Sequence, residues 1–458
     1  EKALNIKIAG TFSIENISIN SREDLKNNLF IPIKGNNFDG HDFILDAFSN
    51  GSTASLVEKK FLSKINIGQI KDKIIIPVEN SLESLQKLAE YTRNRIRKLN
   101  MICITGSSGK TTVKNWLSSI LGKHYEIHST VGNLNNHIGL PLSLSRMKSK
   151  TNLCILELGM NQKGEIKKLS CLAKPNISLI TNIGPAHIGN FSDQKEIAIE
   201  KSNIFYGQTG GISLIPRDSL YYDLIYKSAK QSRSKIYSFG YHEKSDFRIL
   251  SSTLDDKKNR TLLKFKLMEK EISFHNNFSG KIWEINFLIV LMVTKLIGIN
   301  SAEILKKLKN LKPAEGRGSI HNLVFDNKTI TLIDDSYNSN PLSLKNSIES
   351  FISSPNTKGR KVCIIGDMLE LGKQSFKYHH EIADILIKSN MGYVYTVGKE
   401  SKTINKKLKN KIPVTHFDNV DLLIKQIYKI FSNYDLILIK GSNSVGLNKI
   451  CKKIKTCK

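Results

Sequence analysis

An α/β protein built on largely parallel sheets is what this sequence predicts, and three features predict it. The first 85 residues hold short alternating runs broken by turns. From residue 101 an apolar strand, a Gly-rich loop and a helix recur in that order, and the rhythm restarts beyond a Pro/Gly segment at 313–318. This alternation marks parallel sheets covered by helices, with ligands expected where strands end. At 458 residues the chain exceeds one ordinary core. The expected units are residues 1–85, 86–313 and 314–458.

In the first unit the runs Ser18–Arg22 and Leu29–Ile33 read as strands, and GNNFDGHDF (35–43) reads as turn. Helical periodicity over 81–98 leads into the second unit. There MICITG (101–106), NLCILELG (152–159) and ISLITNIG (177–184) are apolar strands, each ending in a polar, glycine-containing loop. Residues 235–275 alternate and read as a β-rich edge, with HNNF (275–278) as a turn. FLIVLMVTKLIG (287–298) and a segment beginning near Ser301 read as helices. In the third unit KTITLIDDSYNSNP, GRKVCIIGDMLELG, YVYTVG and YDLILIKGS supply the strands of a second such sheet. No short-period repeat is present.

Composition suits a water-soluble globular protein, with 40% hydrophobic and 24% charged residues. No apolar run is long enough to span a bilayer, since Asn286 and Lys295 break the longest, Ile285–Ile299, which reads as a buried helix. The opening EKALNIKIAG has neither an apolar signal core nor a Met, so a natural chain trimmed at its N-terminus is expected. Of the six cysteines, Cys103, Cys154 and Cys363 sit in apolar runs and read as small buried hydrophobes, which fits a reducing compartment. The formal charge of +28 is spread along the chain, without an arm of interleaved basic and aromatic residues. That argues against nucleic acid and for an anionic substrate. The terminal KKIKTCK reads as a frayed, solvated tail.

The strongest local motif is ICITGSSGKTTVKNWLSSIL (102–121). A strand ends at Thr105, and Gly106, Ser107, Ser108 and Gly109 form a turn whose N–H groups face phosphate oxygens. Lys110 adds positive charge, and Thr111 opens a helix with a hydroxyl suited to Mg²⁺, followed by Thr112. The full phosphate-loop pattern has another Gly where Ile104 stands, so this is a shortened version. Glu157 ends an apolar run, where an unpaired carboxylate is costly, and is the expected metal ligand. Taken alone, His187 reads as an ordinary loop histidine and Lys201 as a surface lysine. In the third unit LIDDSYNSNP (332–341) and IIGDMLELG (364–372) place acids at strand ends. Asp334 or Ser336 alone would be a routine helix cap, but two such clusters together point to a cleft. No Ser-His-Asp or Cys-His nucleophile constellation stands out.

TGSSGKTTVK (105–114), NLNNHIGLPLS (133–143), LELGMNQKGEI (156–166), TNIGPAHIGNF (181–191), IDDSYNSNPLSL (333–344) and GDMLELG (366–372) together resemble the Mur ligases. SREDLKNNLFIPIKGNNFDGHDF (21–43) is similar to the family's substrate domain and KGSNSVG (440–446) to its closing loop. The resemblance runs nearly end to end and implies a UDP-sugar-binding domain, an ATPase domain and a C-terminal α/β ligase domain. It implies a cytoplasmic, monomeric, ADP-forming enzyme of peptidoglycan synthesis that uses ATP and Mg²⁺. The implied partners are UDP-N-acetylmuramoyl-tripeptide and D-alanyl-D-alanine, joined through an acyl phosphate. A sister ligase, or one similar to folylpolyglutamate synthetase, adding a single amino acid is the alternative.

By the same resemblance Lys110 contacts the β- and γ-phosphates, and Thr111, Glu157, His187 and Lys201 form the metal site, with Lys201 carbamylated. Asn286 and Arg317 contact the nucleotide. Asn135, Asn136 and His137 face the muramoyl peptide, while Ser21 and Arg22 face the uridine. Asp335, Ser336, Tyr337, Asn338 and Asn340 line the cleft where ATP and dipeptide meet. The family often has Gly-Arg-His where this chain has Gly280, Lys281 and Ile282, so an adenine-site donor is missing.

Overall fold

The computed structural model describes residues 1–8, 12–35, 37–65, 70, 72–255, 260–278, 280–354, 358–389 and 391–456. Asn36, within the expected turn 35–43, and Cys457 and Lys458, within the terminal KKIKTCK, lie outside the described residues.

Three sheets carry the chain. The first is parallel, ordered β1 (Asn16–Ser18), β2 (Asn28–Phe30), β3 (Ala54–Glu58) and β4 (Ile74–Val78). The run expected as a strand through Arg22 stops at Ser18. Ser18 Oγ accepts the Asn20 N–H at 3.1 Å and Asn20 Oδ1 accepts the Arg22 N–H at 3.1 Å, so short polar side chains bend the backbone out of the ladder. The helix Ser81–Arg95 crosses the 85/86 boundary, capped by Asn80, whose side chain accepts from the Glu83 N–H.

The second sheet comprises β5 (Asn100–Thr105), β6 (Ile127–Ser129), β7 (Leu153–Glu157), β8 (Ile177–Ile180), β9 (Ile212–Pro216), β10 (Lys235–Gly240), β11 (Phe247–Asp255), β12 (Arg260–Leu267) and β13 (Lys270–Asn276). Its order is β13-β12-β11-β10-β9-β8-β5-β7-β6, parallel from β11 to β6 and antiparallel at the β11–β12–β13 edge. His275 and Asn276, expected in a turn, end β13 and pair with Leu262 and Thr261. All five residues of β7 are buried, as a strand covered by helices on both faces requires. β5 lies between β7 and β8, both later in the chain, so a crevice opens beyond its C-terminal end. The helix Lys281–Leu296, buried from Asn286 through Thr294, lies beside the helix Lys110–Leu121 in one apolar core.

The third sheet comprises β14 (Ser319–Phe325), β15 (Lys328–Asp334), β16 (Lys361–Gly366), β17 (Tyr393–Val397), β18 (Val414–Phe417) and β19 (Leu436–Lys440). Its order is β14-β15-β19-β16-β17-β18, with β19 paired in parallel to both β15 and β16. As far as Thr456 the terminal segment is helical and is no frayed tail. Ile450, Cys451 and Ile454 form a buried stripe at helical spacing on the helix Asn448–Thr456. Lys455 reaches Asp334 at 2.7 Å and Glu315 at 3.2 Å. No helix among the described residues is long and apolar enough to cross a membrane.

Candidate active site

β5 ends at Thr105, and the turn that follows has the backbone of a phosphate cradle. Gly106 has φ +146°, and a Cβ there would meet Thr181 Oγ1 at 1.9 Å; Gly109 has φ +84° and would meet Asn286 Oδ1 at 2.7 Å. Both positions therefore demand glycine. The Ser107 hydroxyl donates to the Gly184 carbonyl at 2.8 Å and the Ser108 N–H to Asn182 Oδ1 at 2.9 Å, tying the turn to the loop after β8. Lys110 Nζ donates to the Gly106 carbonyl at 2.6 Å, bending over the turn. Burial lowers its pKa to about 8, opposed by Glu157 and assisted by the Arg317 charge.

A cavity of about 600 Å³ opens over this turn, between the second and third sheets. Ser107, Ser108, Gly109, Lys110, Thr111, Thr112, Glu157, His187, Lys201, Asn286 and Arg317 line it, so the nucleotide, metal and catalytic residues expected from sequence converge, apart from Gly106 beneath the turn. From the other side come Asp335, Tyr337, Asn338 and Asn340, with Asn135 at the rim. Ser336 does not face the cavity. Its hydroxyl donates to Asp334 Oδ1 at 2.6 Å and its side chain is buried beneath the loop. Asn136 and His137 also lie outside the cavity wall and are exposed. Asn136 Oδ1 accepts the Gly139 N–H at 2.8 Å at the start of a helix, and His137 leans toward Glu165 at 3.9 Å. Ser21 and Arg22 border a separate N-terminal cavity with Phe30, Phe38 and Phe43.

Thr111 Oγ1 donates to Glu157 Oε2 at 3.1 Å. Glu157 Oε1 is buried without a hydrogen bond, its cationic neighbour being Lys114 Nζ at 3.5 Å. A hydroxyl and an orphaned carboxylate oxygen suit a hard divalent cation that keeps waters and phosphate oxygens as its other ligands. No group of three His, Cys, Asp or Glu side chains stands together as a metal cage among the described residues. His187 sits in left-handed backbone, φ +59°, and its Nδ1 pairs with Glu370 from the third sheet's side. That histidine holds the Glu370 carboxyl below its usual value, with burial acting the other way. The Gly189 N–H donates to the Glu370 carbonyl at 2.9 Å, completing a second strap between the two units.

Lys201 is not a surface residue. On the helix Gln194–Ser202 it shares the inner face with Ile197 and Ala198, and its side chain is 2% exposed. Burial and the nearby Lys110 charge hold its pKa well below the usual lysine value, with Glu200 opposing. A neutral lysine here is a ready nucleophile, whereas its ammonium form would repel a metal ion.

Three features escaped the sequence reading. Lys440 closes β19 with its ammonium 2.8 Å from Asp335 and 3.0 Å from the Asn338 carbonyl; a lysine ending an apolar strand was the available signal. Phe278 and Trp283 line the cavity beside Ile282, in the stretch that departs from the family pattern. Arg317 stacks on Tyr337, its guanidinium carbon 3.9 Å from the ring centre. Asp367, the first acid of the run IIGDMLELG, is structural and accepts the Ser401 N–H at 2.7 Å.

Comparison with known proteins fits this geometry. Residues 13–93 match the Mur ligase family catalytic domain, residues 104–294 the Mur ligase middle domain, and residues 320–443 the Mur ligase glutamate ligase domain. The UDP-N-acetylmuramoyl-tripeptide–D-alanyl-D-alanine ligase of Rickettsia prowazekii is 37% identical over 451 residues, covering 98% of this chain and 97% of the relative. The Bacillus subtilis enzyme of the same description is 31% identical over 445 residues, covering 96% and 93%. The crystal structure of MurF from Acinetobacter baumannii superposes with a TM-score of 0.84 at 26% identity, covering 96% of this chain and 93% of that one. MurF ligase from Thermotoga maritima in complex with ADP gives 0.81 at 26%, covering 96% and 97%.

Proposed function

The chain belongs to the Mur ligase family, and we propose from that premise that it adds D-alanyl-D-alanine to the terminal carboxylate of UDP-N-acetylmuramoyl-tripeptide. The observation that carries this reading is end-to-end similarity to D-alanyl-D-alanine-adding ligases, 37% over 98% of the chain in one case. Its phosphate turn and the loop Asp335–Asn340 share one cavity, as such a reaction needs.

In the reaction a tripeptide carboxylate oxygen attacks the γ-phosphorus of ATP, the bond to the ADP oxygen breaks, and an acyl phosphate forms. The dipeptide amine then attacks the acyl carbon, the amine loses its proton, and inorganic phosphate leaves as the amide forms. Lys110 and the N–H groups at the start of its helix, from Gly109 on, hold the phosphoryl oxygens as charge builds on them, the Ser107 and Ser108 N–H groups being given to Asn182. Arg317, braced on Tyr337, adds a second cation from the Pro/Gly segment 313–318. Thr111 and Glu157 would hold Mg²⁺, which when bound neutralises phosphate charge. Lys201 joins that site if carbamylated, and His187 if released from Glu370. Asn286 and the aromatic wall of Phe278 and Trp283 take the nucleoside in this reading. Asn135 faces the muramoyl peptide, and Ser21 and Arg22 hold the uridine end. The units 1–85, 86–313 and 314–458 serve as UDP-substrate, ATP and ligase domains of a cytoplasmic monomer. The Asn340 side-chain N–H donates to the Ser107 carbonyl at 3.0 Å, so the loop that lines the ligase side of the cleft is tied directly to the phosphate turn.

The test is phosphate release from MgATP with UDP-N-acetylmuramoyl-tripeptide, comparing D-alanyl-D-alanine with single D- or L-amino acids. Dipeptide-dependent release and a product heavier by the dipeptide less one water are expected. Release with a single amino acid alone would reassign the chain to a sister reaction.

A further inference from the structure

We propose that Lys114 is a positioning residue that fixes the Glu157 carboxylate and the loop beginning at Thr130 in one register for the metal–nucleotide site. This rests on the reading of Glu157 as a metal carboxylate.

Lys114 stands one helical turn beyond Lys110 on the helix Lys110–Leu121, so the two lysines share a face. Lys110 looks into the cavity, whereas Lys114 lies beneath it and is 4% exposed. Its Nζ donates to the Thr130 carbonyl at 2.5 Å and stands 3.5 Å from Glu157 Oε1. A methionine would fill this volume without the desolvation cost of an ammonium, so what the lysine adds is direction and charge. Glu157 has two further ties. Its Oε2 accepts the Thr111 hydroxyl at 3.1 Å, and its backbone N–H donates to Thr130 Oγ1 at 3.0 Å. Thr130 is therefore gripped at its hydroxyl by β7 and at its carbonyl by Lys114. The loop it begins carries Asn133 and Asn135 into the cavity wall. One buried cation thus joins the phosphate-binding helix, the metal carboxylate and the acceptor-side loop. Remove it, and Glu157 Oε1 loses the cation 3.5 Å away, leaving only the Lys110 charge to act on it, while the Thr130 carbonyl loses its donor.

The experiment titrates Mn²⁺ into the full chain in the presence of ADP, counting free ion by electron paramagnetic resonance and subtracting a protein-free nucleotide titration. Wild type, E157Q, K114M and K114Q are compared, with circular dichroism reporting folding. E157Q sets the floor. K114M is expected to lose about tenfold or more in Mn²⁺ affinity, the range in which residues behind metal ligands act, and to approach E157Q. K114Q, one bond shorter, retains an N–H donor but no charge, so it serves if K114M does not fold; a similar loss is expected. Folded K114M or K114Q binding Mn²⁺ within twofold of wild type overturns the proposal, whatever its melting temperature. E157Q binding like wild type overturns it at its premise, by removing Glu157 from the metal site.

Discussion

Raising the pH should discharge Lys110 before it discharges any ordinary lysine. Burial brings its pKa to about 8 in the ligand-free chain, Glu157 resisting and Arg317 adding to the fall. One unit above that value leaves about a tenth of the side chains protonated, and one unit below leaves about nine-tenths. A nucleotide phosphate beside the ammonium restores the cation. Binding at pH 9 therefore takes up about 0.9 proton, against about 0.1 at pH 7, and affinity falls about tenfold between them, ~1.4 kcal/mol. Calorimetric titration with MgADP at both pH values, in two buffers of different ionisation heat, reads both quantities. K110R stays charged throughout and subtracts any protonation of the nucleotide itself. Stability follows with a definite sign. Between pH 8 and the ordinary lysine value of 10.5 the unfolded chain binds the extra proton, so the ligand-free protein gains stability as pH rises through that window. Equal MgADP affinity at pH 7 and pH 9, or no buffer-dependent heat at pH 9, would refute the reasoning.

Three further outcomes are expected. K440M strands the Asp335 carboxylate, left with Ser347, and should lower stability by up to about 3 kcal/mol in thermal denaturation, part of which D335N/K440M recovers. G109A forces alanine into left-handed backbone at about 1–2 kcal/mol and pushes on Asn286 Oδ1, 2.7 Å from the new methyl, so calorimetry should show weaker MgADP binding. K455M acts through Asp334, whose burial would raise its pKa but whose bonds to Lys455, Ser336 and Cys451 outweigh that and lower it. The stabilisation is present above the unfolded value of 3.8 and is lost as pH falls through the folded one, so K455M should move the acid midpoint upward in a circular dichroism titration.

Much of the site was legible because its chemistry is local. The turn Gly106–Thr112 declares itself through glycine spacing between an apolar strand and a helix, and Glu157 through being a lone acid closing a buried run. Lys201 was illegible from its own helix and was named only through the family resemblance. Its neighbours Glu196 and Glu200 make the helix look solvated, yet Glu200 is buried and accepts the Gly164 and Ile166 N–H groups, contacts that only the assembled domain brings together. Lys455 misled in the same way, because a run of lysines hides the Ile450–Ile454 stripe between them. Strand order was the other hidden quantity. β7 and β19 read alike as apolar runs, yet nothing within either says that β19 divides β15 from β16. Register between distant segments is set by the assembled sheet.

The insertion of β19 has a consequence for how the protein is made. The chain leaves the ribosome from its N-terminus, and the nine-stranded sheet with its phosphate turn is complete once residue 276 has emerged. The third sheet cannot close until residues 436–440 arrive, because they fill the gap between two strands made some 70 to 110 residues earlier. During that interval β15 and β16 hold open edges, and Asp335 lacks Lys440. A chain cut short before residue 436 would thus retain a complete nucleotide-side sheet while lacking the wall that completes the cleft. The order of synthesis builds the part that can hold ATP well before the part that can use it.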